Sequence, residues 1–187
     1  MVRQTNTSDP RIGLLRNQYD EINWFFPMND QKFILEDYFD GDIAAWGVFR
    51  ARFGDKKRSF RMDIEGARDG SILTLDERVL YDDGERGDRF WTFTRKSDTL
   101  YEGVTEDVPG VSRGVVLGDE IRWRYDFRLK VGERGVPFEF DDRMYLMDDE
   151  TVLNRVVIKK YGVRVGDITA SFHRDAAVAR SALAEVA

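Results

Sequence analysis

The chain has 187 residues, a formal net charge of -6, 42% hydrophobic and 34% charged residues, and no cysteine. This is enough for one domain with a real core. The cysteine count excludes disulfides, thiolate catalysis and thiolate metal sites. Arginines alternate with acids and form no basic stripe, which argues against nucleic acid as a partner.

Residues 1–10 are polar and read as a loose tail. In residues 11–23, Ile12, Leu15, Tyr19 and Ile22 recur at helical spacing and predict a short helix. Trp24, Phe25, Phe26 and Pro27 form an apolar knot that ends it. The N-terminus shows no signal peptide and no apolar run is long enough to span a bilayer, so a cytoplasmic address is the default expectation.

From Phe33 to about His173 the period becomes two. Ile121, Trp123, Tyr125, Phe127 and Leu129 alternate with Arg122, Arg124, Asp126 and Arg128. Successive strand residues point to opposite faces, so such a strand has one buried and one wet face. Phe60, Met62 and Ile64 repeat the pattern, as do Leu73, Leu75, Val79 and Tyr81, and Phe138, Phe140, Met144 and Leu146. Turn residues fall between the runs at Gly54-Asp55, Asp69-Gly70, Asp83-Gly84, Ser97-Asp98, Pro109-Gly110, Gly118-Asp119, Asp148-Asp149 and Gly162. Their spacing of roughly 8 to 14 residues leaves no room for crossover helices and predicts consecutive antiparallel hairpins, about ten strands in all. Closure into an up-and-down barrel removes the sheet edges. After His173 the chain turns alanine-rich, and Val178, Ala182 and Val186 predict a C-terminal helix. The expected organisation is therefore an N-terminal tail and helix over 1–32, an all-β barrel over 33–174, and a helix over 175–187.

Few residues in this frame can carry chemistry. His173 is the lone histidine and has no evident orienting partner, so a strand-end role is preferred over haem ligation or general-base catalysis. In FEFDDRMYL, parity places Asp142, not Asp141, on the apolar face with Phe138, Phe140 and Met144. A carboxylate there is costly unless paired or protonated. It is either an anchor in a cavity or half of an ion pair with an arginine from a neighbouring strand. Asn154 is in phase with Val152, Val156 and Ile158, and can orient a ligand or satisfy a buried group such as Asp142. The acidic YDDGE segment, residues 81–85, reads as a hairpin turn rather than a calcium loop. Trp46, Trp91 and Trp123 are the large rings expected to shape the interior. No phosphate-cradling loop, nucleophile elbow or zinc motif is present, and no cofactor is expected.

The stretches FILEDYFDGDIAAWGVFRARFGDKKRSFRMDIEG, LTLDERVLYDDGE, WRYDFRLKV and FDDRMYLMDDETVLNRVVIKKYGVRVGDITASFHR resemble the bacterial domain of unknown function 3833. The likeness runs from about Phe33 to Arg174. It implies a lipocalin-like barrel and an uncharacterised function, and the genomic surroundings common in that family point toward lipid. Many members look like exported lipoproteins; this chain lacks the lipidation cysteine.

The leading expectation is a binding or carrier module holding a small apolar or amphipathic molecule, such as a fatty acyl chain, inside the barrel. Trp46, Trp91, Trp123, Phe138 and Phe140 are the expected wall. Asp142, Asn154 and an arginine, Arg143 or Arg155, are the expected polar anchors, although parity puts both arginines outside. The alternatives are an enzyme using Asp142 with His173 or Tyr145, and a solid barrel that binds nothing.

Overall fold

A computed structural model describes residues 31–54, 57–131 and 134–174. The helix expected over 11–23, the knot at Trp24–Pro27 and the helix expected over 175–187 lie outside the described residues. One short helix, α1 (Leu35–Phe39), is followed by ten strands: β1 (Gly41–Ala51), β2 (Lys57–Asp69), β3 (Ile72–Tyr81), β4 (Arg86–Ser97), β5 (Leu100–Val104), β6 (Ser112–Leu117), β7 (Glu120–Val131), β8 (Arg134–Leu146), β9 (Thr151–Lys160) and β10 (Val163–His173).

Every strand pairs antiparallel with its sequence neighbour, and β1 closes on β10 from Ala44 opposite His173 to Ala51 opposite Gly166. The result is the expected up-and-down barrel. The turns also fall where glycine and aspartate announced them: Gly54, Gly70, Gly84, Gly110, Gly118 and Gly162 all have positive φ.

The first residues of the barrel region depart from the expected alternation. Leu35, Tyr38 and Phe39 are buried at helical spacing on α1. This helix plugs one end of the barrel. Its Glu36 is 2% exposed, accepts a 2.5 Å hydrogen bond from the Tyr101 hydroxyl and faces Arg95 at 3.3 Å. The Tyr38 hydroxyl reaches the carbonyls of Phe172 at 2.9 Å and Glu150 at 3.0 Å. Phe39 packs edge-on against Phe172. Gly66 on β2 lets the plug sit this close, since a Cβ there would lie 1.7 Å from the Phe39 carbonyl oxygen.

The opposite end is open among the described residues. It carries the hairpins β1–β2, β3–β4, β5–β6, β7–β8 and β9–β10. Strands β5 and β6 are short, so the wall between β4 and β7 is low on this side. The segment 105–111 fills part of that gap: Val108 is buried, and the Asp107 carbonyl accepts a hydrogen bond from the Arg128 amide at 3.0 Å. Contacts from β4 to β7 complete the seal, with Arg89 over the Phe127 ring at 4.6 Å and Trp91 edge-on to Tyr125.

Candidate ligand-binding cavity

A barrel lined by so many rings would be expected to fill itself, yet a cavity of about 450 Å³ runs along its interior. Glycines account for part of this space. Trp123 lies over Gly114, Phe93 over Gly103 and Phe49 over Gly166, each so close that a Cβ on the glycine would come within 2.9 Å of the ring. The rings therefore lie back against the wall across a neighbouring strand instead of projecting to the axis. Gly47 does the same for Phe60.

The wall is mostly apolar. Trp91, Trp123 and Phe140 are buried in it, with Phe138 nearer the mouth. Rings pack in series: Trp91 stacks on Phe93 at 5.1 Å, Phe93 tilts onto Trp123 at 5.2 Å, and Tyr125 stacks on Phe140 at 5.6 Å. Leu35 and Phe39 of the plug form the floor.

One polar cluster interrupts this surface midway. Asp142 lines the cavity, as parity requires. Its Oδ2 accepts a hydrogen bond from the Tyr125 hydroxyl at 3.0 Å, and its Oδ1 accepts one from Asn154 Nδ2 at 2.5 Å. Asn154 Nδ2 also donates to the Arg143 carbonyl at 3.1 Å, which fixes the amide. No arginine pairs with Asp142 among the described residues. Burial accordingly outweighs the two hydrogen bonds and pushes the Asp142 carboxyl up to about 6. Glu77 on β3 also lines the cavity. Burial raises its carboxyl to about 7, against the opposing pull of Arg89, whose Nη1 lies 3.5 Å away. The nearby Asp142 charge adds to that rise, and burial likewise drives the Tyr125 hydroxyl well above its usual range. The interior thus holds two carboxyls that take up protons near neutrality, one phenol, one amide and one guanidinium.

At the mouth the cations take over. Arg58 and Lys160 share the inward parity of Phe60 and Ile158. Arg58 lies 3.6 Å over the Tyr81 ring and is held by Asp83 at 2.8 Å and Glu85 at 2.6 Å. Those are the carboxylates of the YDDGE hairpin, which serve as a clamp on Arg58. Lys160 lies 5.0 Å over the Phe138 ring.

Several expected site residues lie elsewhere. Trp46 is on the outer face of β1, stacked on His173 with centroids 4.6 Å apart. The inner positions of β1 belong to Ala45 and Phe49, so alternation turns Trp46 outward. His173 is paired with Ser171 at 2.6 Å on that outer face and cannot reach Asp142. Arg143 also faces outward, toward Asp141 at 3.5 Å, with Arg155 opposite it on β9. Tyr145 has the same outward parity, so the phenol beside Asp142 is Tyr125. The interior charges that the sequence reading passed over are Glu77 and Arg89. Both were visible in the pattern: Glu77 is in phase with Leu75 and Val79, and Arg89 with Trp91 and Phe93.

A family model described as "Protein of unknown function (DUF3833)" matches residues 22–174. The chain belongs to this DUF3833 family. No curated protein matches its sequence. Among solved structures, this DUF3833 chain is similar to an S-type phycobiliprotein lyase, CPES, from Guillardia theta, with a TM-score of 0.56 at 10% identity, over 75% of this chain and 90% of that one. At that identity the likeness shows a shared lipocalin-like fold and no more.

Proposed function

We propose that this barrel binds one elongated apolar or amphipathic molecule, such as a fatty acyl chain, in its interior. The observation that carries the reading is the cavity itself: about 450 Å³, walled by aromatic and aliphatic side chains and interrupted by the Asp142–Tyr125–Asn154 cluster and the Glu77–Arg89 pair. That combination is how small-molecule sites are built, with apolar area supplying affinity and a few fixed polar groups supplying orientation. A solid barrel would have had rings where the cavity is.

The two polar regions suggest how such a ligand lies. The apolar part rests against Trp91, Trp123 and Phe140. A hydroxyl, carbonyl or amide on the chain meets the Asp142–Tyr125–Asn154 cluster midway, where a neutral Asp142 can donate as well as accept. An acidic headgroup at the mouth faces Lys160, since Arg58 is already held by Asp83 and Glu85. The test is organic extraction and mass spectrometry of the purified protein, with native mass spectrometry of the intact complex. A defined lipophilic adduct at one per chain supports the reading. Protein that stays free of adduct, and takes up none when titrated with long-chain fatty acids, contradicts it.

Acid/base catalysis on the bound molecule is the second reading. Asp142 and Glu77 titrate near neutrality, where a general acid or base works best. Chemical conversion of a bound ligand by the wild type, with unconverted ligand accumulating in Asp142→Asn, separates this reading from simple carriage.

A further inference from the structure

The open rim carries apolar side chains that nothing in the fold explains. Tyr161 is 93% exposed at the tip of the β9–β10 hairpin, and Phe53 is 67% exposed beside the tip of β1–β2. Val163, next to Tyr161, is also exposed. The two hairpins are neighbours, since β1 pairs with β10 and the Arg52 amide donates to the Val165 carbonyl at 2.8 Å.

Tyr161 is placed at a cost. Lys160 pairs with Val163, so Tyr161-Gly162 is a two-residue turn with φ of 52° and 76°. Such a turn favours asparagine or aspartate at its first position. Tyr161 is the one non-glycine residue with positive φ among the described residues. A large ring held in that conformation and left in water serves no purpose in the fold.

Charge is distributed to match. Arg50, Arg52 and Lys57 surround the Phe53 hairpin and form no ion pair among the described residues. Lys160 lies 4.9 Å over the Tyr161 ring, while the neighbouring Lys159 and Arg164 are paired with Glu139 and Asp167. The plugged end instead carries Asp69, Asp98, Asp119, Asp148, Asp149 and Glu150 in its turns. The remaining arc of the open rim is of mixed charge, with Asp82, Asp83, Glu85, Glu106 and Asp107 interspersed with Arg58, Arg86, Arg128 and Arg134. The two most exposed rings thus meet Arg50, Arg52, Lys57 and Lys160 on one arc of the mouth, in a chain of net charge -6.

We propose that this arc, the Phe53 and Tyr161 tips with their surrounding cations, docks the barrel mouth-first on an anionic lipid bilayer. Aromatic rings partition at the headgroup level, and lysine and arginine beside them are drawn to anionic lipid. The acidic turns of the plugged end face away from the bilayer in this orientation. The proposal is independent of what the cavity holds and is tested without any cavity ligand.

The experiment is vesicle co-flotation of the full chain with phosphatidylcholine alone and with about one quarter phosphatidylglycerol added. Binding is expected to be about tenfold or more stronger on the anionic vesicles at low salt, and to weaken as salt screens it. Phe53→Ser combined with Tyr161→Asn is expected to reduce binding by about tenfold. The Tyr161→Asn change suits the turn, so a retained circular-dichroism spectrum and melting temperature verify that the variant is folded. Arg50→Glu with Arg52→Glu is expected to abolish the preference for anionic lipid. Absence of binding, equal binding to both vesicles, or unchanged binding of the tip variant overturns the proposal. So does a dimer in light scattering that the tip variant dissociates, which would assign the arc to a second copy of the chain.

Discussion

The two ends of this barrel are built from the same alternating strands and come to opposite results. At the plugged end, Phe33, Leu35, Tyr38, Phe39, Leu73, Tyr101, Ile121 and Val152 are all 3% exposed or less, and the buried Glu36 is satisfied by Tyr101 and Arg95. At the open end, Phe49, Phe60, Tyr81, Leu129 and Phe138 share the inward parity but are half-buried, and cations lie over two of the rings. Midway, the buried Glu77 and the half-buried Asp142 lack full charge compensation. The plugged end invests in stability, while the middle and the mouth keep space, unpaired charge and strain.

Among single substitutions, this contrast is broken most forcefully from the plugged end. Gly66→Ala drives a Cβ into the Phe39 carbonyl, and both sides of that clash are backbone. It is expected to lower the unfolding free energy by about 3 kcal/mol in urea titrations, at the top of the range for overpacked sites. An unchanged midpoint would show that α1 does not press on the barrel.

The pH dependence probes the middle. Asp142 and Glu77 have folded-state values of about 6 and about 7, both above their unfolded values. Between the unfolded and folded values the native state holds protons that the unfolded chain has released, so stability falls as pH rises from about 4 to about 7. Below that window the two states are protonated alike; above it the loss is complete. The two rises together correspond to an expected loss of up to about 6 kcal/mol for the pair. Asp142→Asn preserves the acceptor for Asn154 and can donate to Tyr125, so it should flatten this slope in melting curves recorded across pH. A stability that instead rises over the same window contradicts the burial of uncompensated carboxyls.

The smallest effect is expected at the mouth, with the opposite sign from Gly66→Ala. Tyr161→Asn relieves a left-handed conformation and is expected to raise stability by about 0.5–1 kcal/mol. A decrease would mean that the contact between Lys160 and the Tyr161 ring outweighs the backbone strain.

Much of this architecture was legible in the sequence because two short-range signals carry it. Period two sorted Asp142 from Asp141 and Asn154 from Arg155, and glycine and aspartate marked the turns. The same signal was available for Glu77 and Arg89, but a charged residue in phase with leucine or tryptophan reads as an interruption until its partner is known, and that partner lies a strand away. Trp46 was misassigned by size alone; alternation with Ala45 turns it outward. Two features required the third dimension. The plug escaped because one helical turn leaves too few repeats to show a period. A hollow interior was the leading expectation, but alternation alone left it beside a solid barrel, because it depends on which glycine lies across from which ring, and that is a matter of register between strands.

The central claim, a hollow barrel that takes up an apolar chain, is tested most directly by collisional quenching with a brominated fatty acid. Trp91 and Trp123 line the cavity, whereas Trp46 is stacked on His173 outside. Saturable quenching is expected for a Trp24→Phe background, and its saturable part is expected to disappear when Trp91→Phe and Trp123→Phe are added, where Trp46 remains. Quenching of equal depth in that triple variant, or no saturable quenching in the Trp24→Phe background, would contradict binding inside the barrel.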